Sequence, residues 1–91
     1  MKVTVQLFTA KWCGPCKIYK PLVRKLMEDS NVKFEEFDAD EDDEAFRKLN
    51  VKNVPTLIIF NDGVMVASVI GAVRKSELMD KLGEWHVFEE G

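Results

Sequence analysis

Lys11-Trp12-Cys13-Gly14-Pro15-Cys16-Lys17 is the stretch that holds both cysteines of the chain, two residues apart. A Cys-x-x-Cys pair can close a disulfide and reopen it by thiol–disulfide exchange. The same spacing also begins many zinc sites, so the pair alone does not decide between the two chemistries. A strand-like run ends just before this stretch, and a helix-like pattern begins within it. The flanking pattern therefore favours a redox-active pair at a strand–helix junction.

Length and composition limit the function classes that the chain can serve. Ninety-one residues, 46% of them apolar and 32% charged, predict one small globular domain over residues 1–91. The net charge of -3 gives no support for a nucleic-acid partner or an anionic membrane surface. No apolar run approaches the roughly 18 residues of a membrane span, and Gln6, Thr9 and Lys11 interrupt any secretory signal. Two cysteines cannot build a disulfide-dense secreted scaffold, so we expect a reducing, cytoplasmic location.

The apolar spacing predicts elements in the order β-α-β-α-β-β-α. Strands are expected at 2–8, 32–39, 57–60 and 64–69, and helices at 14–29, 42–50 and 75–85. Asn61-Asp62-Gly63 predicts a hairpin turn between the last two strands, and Pro21 should kink the first helix. Helical spacing predicts three buried faces, made by Ile18, Leu22, Val23 and Leu26, by Ala45, Phe46 and Leu49, and by Leu78, Met79, Leu82 and Trp85.

Several features of the chain resemble the thioredoxin family at the family's spacing. They are Trp12-Cys13-Gly14-Pro15-Cys16-Lys17, the helix-kinking Pro21, Val54-Pro55-Thr56 before the third strand, and Gly71 after the fourth. The resemblance covers nearly the whole chain and implies an α/β protein with a minimal thioredoxin fold. Its four-stranded mixed sheet would have the order 2-1-3-4, flanked by three helices, without the strand and helix that usually come first. One sheet face would then be thinly covered, which suits polar Thr4 and Gln6 on the first strand.

The resemblance implies that the two cysteines carry the reaction. Cys13, at the strand–helix junction, should lie near unpaired backbone N–H groups and the positive end of the helix dipole, which favour its thiolate. The nearby cations Lys11 and Lys17 should act in the same direction. Cys16, one turn into the helix, should be more buried and act as the resolving thiol, while Pro15 limits backbone freedom between the two. A pair of plain buried thiols is the alternative.

The resemblance also implies a substrate groove beside the cysteines. The peptide bond before Pro55 should be cis, and Val54 should offer its backbone to an extended substrate strand. Trp12 would be an exposed aromatic lip, and Gly71 and Ala72 would form the opposite rim. The alternatives are a strand-starting proline, a core tryptophan and a plain turn glycine. The remaining residues that should support the active site are Gly14, Pro15 and Lys17.

Two positions depart from the family pattern. Thioredoxins typically have a buried aspartate, a proton acceptor for the resolving cysteine, where this chain has Leu7, and a tryptophan where it has Thr9. Leu7 cannot move a proton. Glu36 matches a lysine position that faces that aspartate in the family, so we hypothesise that Glu36 partly takes over proton transfer at Cys16 through water. A solvated glutamate on an edge strand is the alternative.

Three functions from different classes compete. The first is a dithiol–disulfide oxidoreductase that reduces protein disulfides and is itself reduced by a thioredoxin-reductase-type donor. The second is a glutaredoxin-like or isomerase-like redox protein fed by glutathione or a dedicated donor; the short N-terminus favours it, whereas Gly14-Pro15 argues against it. The third is a zinc module, which needs about four ligands, while the chain offers two cysteines and the distant His86.

We predict the first function, with disulfide-containing proteins as substrates. We expect no metal or cofactor, no nucleic-acid or membrane partner, and a monomer. An acidic cluster is interpreted as a solvated helix N-terminus, because it lacks the glycine and the bidentate glutamate of a calcium loop. The cluster consists of Asp38, Asp40, Glu41, Asp42, Asp43 and Glu44.

Overall fold

The protein's architecture, seen in a computed structural model, is described for residues 2–88. This part of the chain contains the predicted elements in the predicted order, each within two residues of its expected bounds. The strands are β1 (Val3–Thr9), β2 (Lys33–Asp38), β3 (Thr56–Asn61) and β4 (Val64–Ile70), and the helices are α1 (Gly14–Glu28), α2 (Asp43–Lys48) and α3 (Lys75–Glu84). No helix within residues 2–88 combines the length and the apolar character needed to cross a membrane.

The strands form one mixed sheet in the order β2-β1-β3-β4, as the resemblance implies. β1 pairs in parallel with β2 and antiparallel with β3, which pairs antiparallel with β4. The β3–β4 turn consists of Asp62 and Gly63, whose φ angles are 53° and 83°. Both residues therefore have the left-handed backbone that a tight two-residue hairpin requires, and glycine adopts it without steric cost.

The sheet has a core on each face because successive side chains of β1 and β3 point in opposite directions. On one face, Val5, Leu7, Leu57 and Ile59 pack with the buried sides of α1 and α3. On the other, Phe8 and Ile58 pack with Phe46 of α2. Phe8 stacks on Phe37 with ring centroids 5.1 Å apart and meets Phe46 edge-on at 5.0 Å. A cavity of about 670 Å³ lies over the polar position Gln6 on the α2 face, where thin cover was expected.

Two predicted core positions are wrong. Ile18 is 79% exposed and Met79 is 43% exposed. In α1 the buried face runs instead through Tyr19, Val23, Leu26 and Met27. Ile18 is one position, about 100° of helical rotation, from Tyr19 and therefore points away from the sheet. Pro21 lies on the exposed side of the same helix, which continues past it to Glu28.

Candidate active site

Cys13 caps the N-terminus of α1. Its backbone is extended, with φ -86° and ψ 111°, and its N–H donates to Ala10 O at 3.1 Å in the turn that follows β1. Its Sγ accepts from the backbone N–H of Cys16 at 3.2 Å. Pro15 stands in the first turn, where the missing N–H of a proline would have no helical partner anyway. The sulfur therefore occupies the place where a helix offers unpaired donors and a positive dipole end.

The two cysteines are joined as a disulfide, with their Cα atoms 5.3 Å apart. Cys13 is 6% exposed and Cys16 is 2% exposed, so Cys16 is the more buried of the two, as expected, by a small margin. Gly14 and Pro15, between them, are both exposed. The pair therefore lies just beneath the surface at one end of the sheet.

The segment that enters β3 lies beside the pair, where the resemblance implies a substrate groove. The Val54–Pro55 peptide bond is cis, as the resemblance implies, and Val54 O lies 3.9 Å from Cys13 Sγ. Gly71 donates its backbone N–H to Pro55 O at 2.8 Å, which joins the predicted rim of Gly71 and Ala72 to the cis-proline segment. Trp12 is 67% exposed, so the alternative of a core tryptophan is wrong.

Gly71 has a φ of +90°. Glycine adopts such a backbone conformation without steric cost, which explains why this position is a glycine. It ends β4 and turns the chain toward α3. Ala72, next to it, lines a cavity of about 380 Å³ together with Pro15 and Tyr19. The structure thus brings the predicted rim residues to the same end of the sheet as the cysteines.

The cations expected near the cysteines have different surroundings. Lys11 is exposed and its ammonium is paired with Glu41, whose hydrogen bond and charge raise the pKa of Lys11. That partner compensates the charge that Lys11 was expected to direct at Cys13. Lys17 lies in the wall of a cavity behind Cys16 and is the better placed of the two.

Glu36 is paired with Arg24 of α1, whereas the expected contact was with Cys16 of the same helix. Its carboxylate accepts from Arg24 Nε at 2.5 Å and from Arg24 Nη2 at 2.8 Å, and this pairing raises the pKa of Arg24. Glu36 stands opposite Leu7 in the sheet register, on the α1 face. Within residues 2–88, no hydrogen bond joins it to Cys16. Proton transfer through Glu36 stays a prediction.

A buried carboxylate near the cysteines was missed by the sequence analysis. Asp38, assigned above to a solvated cluster, is 8% exposed. Its Oδ1 accepts from the backbone N–H groups of Asp40 at 2.9 Å and Glu41 at 3.4 Å, and its own N–H donates to Asp42 at 2.8 Å. In the parallel register, Asp38 lies opposite Thr9. The burial of Asp38 could therefore be predicted only if the pairing of β1 with β2 were already known.

Metal binding has no visible basis in the described part of the chain. No cluster of three or more histidine, cysteine, aspartate or glutamate side chains in it is arranged to hold an ion. The acidic segment instead uses Asp38 and Asp42 to bind backbone N–H groups. The cysteine pair is thus arranged for disulfide chemistry, since its sulfurs are bonded to each other.

Known proteins that are similar to this chain in sequence or in structure include several thioredoxins. Residues 1–84 match the family model described as Thioredoxin. The chain is 36% identical over 80 residues to the thioredoxin of Pyropia yezoensis, in an alignment that covers 86% of this chain and 75% of that protein. The X-ray structure of Fasciola hepatica thioredoxin matches with a TM-score of 0.85 and 32% identity, over 91% of this chain and 80% of the other.

A third match comes from structural work on the thiol resolving mechanism in yeast mitochondrial 1-Cys peroxiredoxin via glutathione/thioredoxin systems. It has a TM-score of 0.83 and 30% identity, over 91% of this chain and 78% of the other.

Proposed function

Because the chain belongs to the thioredoxin family, it is a protein dithiol–disulfide oxidoreductase, and we propose that it works mainly as a reductant of protein disulfides. One observation carries the proposal. Cys13 Sγ accepts a backbone N–H at the start of α1, 3.9 Å from Val54 O. A sulfur in such a place is stabilised as a thiolate, which is the attacking form of a thiol.

The proposed cycle divides the work between the two thiols. Cys13 attacks a substrate disulfide as a thiolate and forms a mixed disulfide, releasing the first substrate sulfur. Cys16 then attacks Cys13 Sγ, which closes the Cys13–Cys16 disulfide and releases the second substrate sulfur. Two electrons have passed from the protein dithiol to the substrate. A reductase of the kind that serves thioredoxins returns the pair to the dithiol.

The residues around the pair are proposed to hold the substrate. Trp12 contributes an apolar lip, and the backbone of Val54, beside Pro55, pairs with an extended substrate segment. Gly71 and Ala72 form the opposite rim. Gly14, Pro15 and Lys17 support the first turn of α1 and its charge.

The cellular setting is proposed from the same chemistry. A reductant of this kind serves electron transport in a reducing compartment, which favours the cytoplasm. We propose that residues 1–91 act as one domain and as a monomer, with disulfide-containing proteins as substrates. A peroxiredoxin is one candidate class of substrate, because a structural neighbour comes from work on such a protein. Gly14-Pro15 favours this function over a glutaredoxin-like one fed by glutathione.

Trapping of the mixed disulfide tests the assignment of the two thiols. The Cys16→Ser variant, mixed in its reduced form with oxidised insulin, should accumulate a one-to-one covalent adduct through Cys13, because no second thiol resolves it. Mass spectrometry of the intact adduct and its peptides identifies the linked cysteine. The matched Cys13→Ser variant should form no comparable adduct. An adduct that forms faster through Cys16 than through Cys13 would reverse the assignment.

A further inference from the structure

A cavity of about 240 Å³ lies behind the buried Cys16. Its wall includes Thr9, Cys16, Lys17, Lys20 and Asp38. Thr9 is 3% exposed and borders this space with a short side chain. One water molecule in the liquid occupies about 30 Å³, so the cavity has room for several, and its hydroxyl, carboxylate and ammonium groups are the partners that ordered water needs.

The carboxylate of Asp38 is fixed in orientation at one side of this cavity. Its Oδ1 is held by the backbone N–H groups of Asp40 and Glu41. For Oδ2 the structure gives no hydrogen-bond donor within residues 2–88. One oxygen therefore anchors the side chain while the other remains able to bind water.

The exchange cycle needs a proton acceptor at Cys16. The thiolate is the nucleophile, so Cys16 must lose its proton before it can attack the mixed disulfide. Leu7 is fully buried and cannot accept a proton. Glu36 has both carboxylate oxygens on Arg24. Asp38 is the one carboxylate among the described residues of the cavity wall.

We propose that Asp38 accepts the proton of Cys16 through water in this cavity, an inference that rests on the exchange cycle above. The proton passes from Cys16 Sγ to Asp38, and the Cys16 thiolate attacks Cys13 Sγ. The bond between Cys13 and the substrate sulfur breaks, the Cys13–Cys16 bond forms, and the substrate leaves as a thiolate. The proton then returns from Asp38 to solvent or to that thiolate.

Charged groups from two sides set the conditions for this transfer. Lys17 and Lys20 of α1 line the same cavity as Cys16 and Asp38. Lys11 also lies in the wall, with its charge compensated by Glu41. The remaining charged neighbours that hydrogen-bond with Asp38 are acidic; they include Asp40 and Asp42.

The Asp38→Asn variant tests the proposal, because the amide oxygen can still accept from Asp40 and Glu41 while the proton-accepting carboxylate is lost. The reduced protein is mixed in a stopped-flow instrument with a symmetrical aromatic disulfide that absorbs on release of each half. The first half reports attack by Cys13, and the second reports attack by Cys16. We expect the second phase alone to slow, by roughly tenfold or more near neutral pH. The difference should shrink above about pH 9, where a free thiol loses its proton unaided.

Three further variants complete the test. Thr9→Leu fills the cavity and should slow the second phase as Asp38→Asn does. Asp40→Asn removes an exposed carboxylate from the same segment and should match the wild type. Glu36→Gln removes the rival carboxylate, and a second phase slowed by Glu36→Gln but not by Asp38→Asn would overturn the proposal. An Asp38→Asn protein with a wild-type second phase, or with both phases slowed equally at every pH, would overturn the proposal. Release of only one half by the wild type would instead contradict the exchange cycle itself.

Discussion

Tyr19 shows how a single residue couples the core to the active-site helix. It lies one turn after Cys16 in α1 and is 2% exposed, and its hydroxyl has no hydrogen-bond partner within the described residues. Burial, and to a lesser degree the charge of Glu77, raises its pKa to about 12. A buried hydroxyl without a partner costs about 1–3 kcal/mol. The helix therefore carries a local cost that its apolar contacts offset.

Replacement of Tyr19 by Phe should stabilise the protein by about 1 kcal/mol at neutral pH, because it removes the unpaired hydroxyl and keeps the ring. The two proteins should also differ at alkaline pH. The folded pKa of Tyr19, about 12, lies above its ordinary value of 10.0. The wild type therefore keeps its full stability below about pH 10 and loses stability relative to Tyr19→Phe as the pH rises toward about 12, because the unfolded chain ionises first.

Urea unfolding of the wild type and of Tyr19→Phe from neutral to alkaline pH measures both effects. Other groups titrate in the two proteins alike, so the difference between them isolates Tyr19. A wild type that is the more stable at neutral pH, or a difference that does not change above about pH 10, would contradict the burial of this hydroxyl without a partner.

Some of the individual site residues could be predicted from the sequence, and others could not. The capping position of Cys13 could be predicted because a strand pattern and a helix pattern meet there, and the geometry of a helix start is local. Asp38 could not, since its burial depends on the pairing of β2 with β1 and on the small Thr9 opposite it. Arg24 was missed for a similar reason: its partner Glu36 lies on β2, and the contact depends on how α1 packs on that strand.

At the scale of elements, order and type were predictable and helix faces were less so. Alternation on β1 and the Asp62-Gly63 turn are local signals, and both hold in the structure. Apolar spacing defines the buried face of a helix only to within about one residue. Ile18 was therefore predicted to be buried, whereas its neighbour Tyr19 is the buried residue. Met79 was assigned inward beside Leu78 in the same way. Packing decides which edge of the apolar stripe of a helix faces the sheet, and the spacing of apolar residues alone does not predict that edge.

Two glycines, one in the β4–α3 connection and one within α3, can be compared by the same substitution. Gly71 has a φ of +90°, while Gly83 lies within α3. At both positions an added Cβ would have open space within 4 Å, apart from its own chain neighbours and helix backbone. Gly71→Ala should therefore destabilise the protein by about 1–2 kcal/mol through backbone strain. Gly83→Ala should stabilise it by roughly 0.5–1 kcal/mol, because alanine is the better helix former.

Thermal or denaturant unfolding of the two glycine variants distinguishes strain from simple crowding, because the space around both sites is open. Equal effects in the two variants would show that the left-handed backbone at Gly71 is not held by the fold. A stabilised Gly71→Ala would show that the loop between β4 and α3 adopts another conformation than the one that binds Pro55.

Over the whole described chain, both cores depend on the same two strands. Leu7 and Phe8, adjacent on β1, point into opposite cores, and Leu57 and Ile58 do the same on β3. The cysteines lie where β1 ends and α1 begins, beside the segment that enters β3. Sheet order was predictable only through the family resemblance, because residue spacing does not say which strands pair. The location of the site then follows from that order.

The reduction potential of the Cys13/Cys16 couple tests the central claim most directly. The protein would be equilibrated in glutathione buffers of graded potential, its free thiols alkylated, and the oxidised fraction counted by mass spectrometry, with Cys16→Ser as the control that cannot form the couple. A protein-disulfide reductant should give a value near roughly -270 mV, the potential known for thioredoxin. A value above about -230 mV, in the range of glutaredoxins and disulfide isomerases, would contradict the proposed role as a reductant.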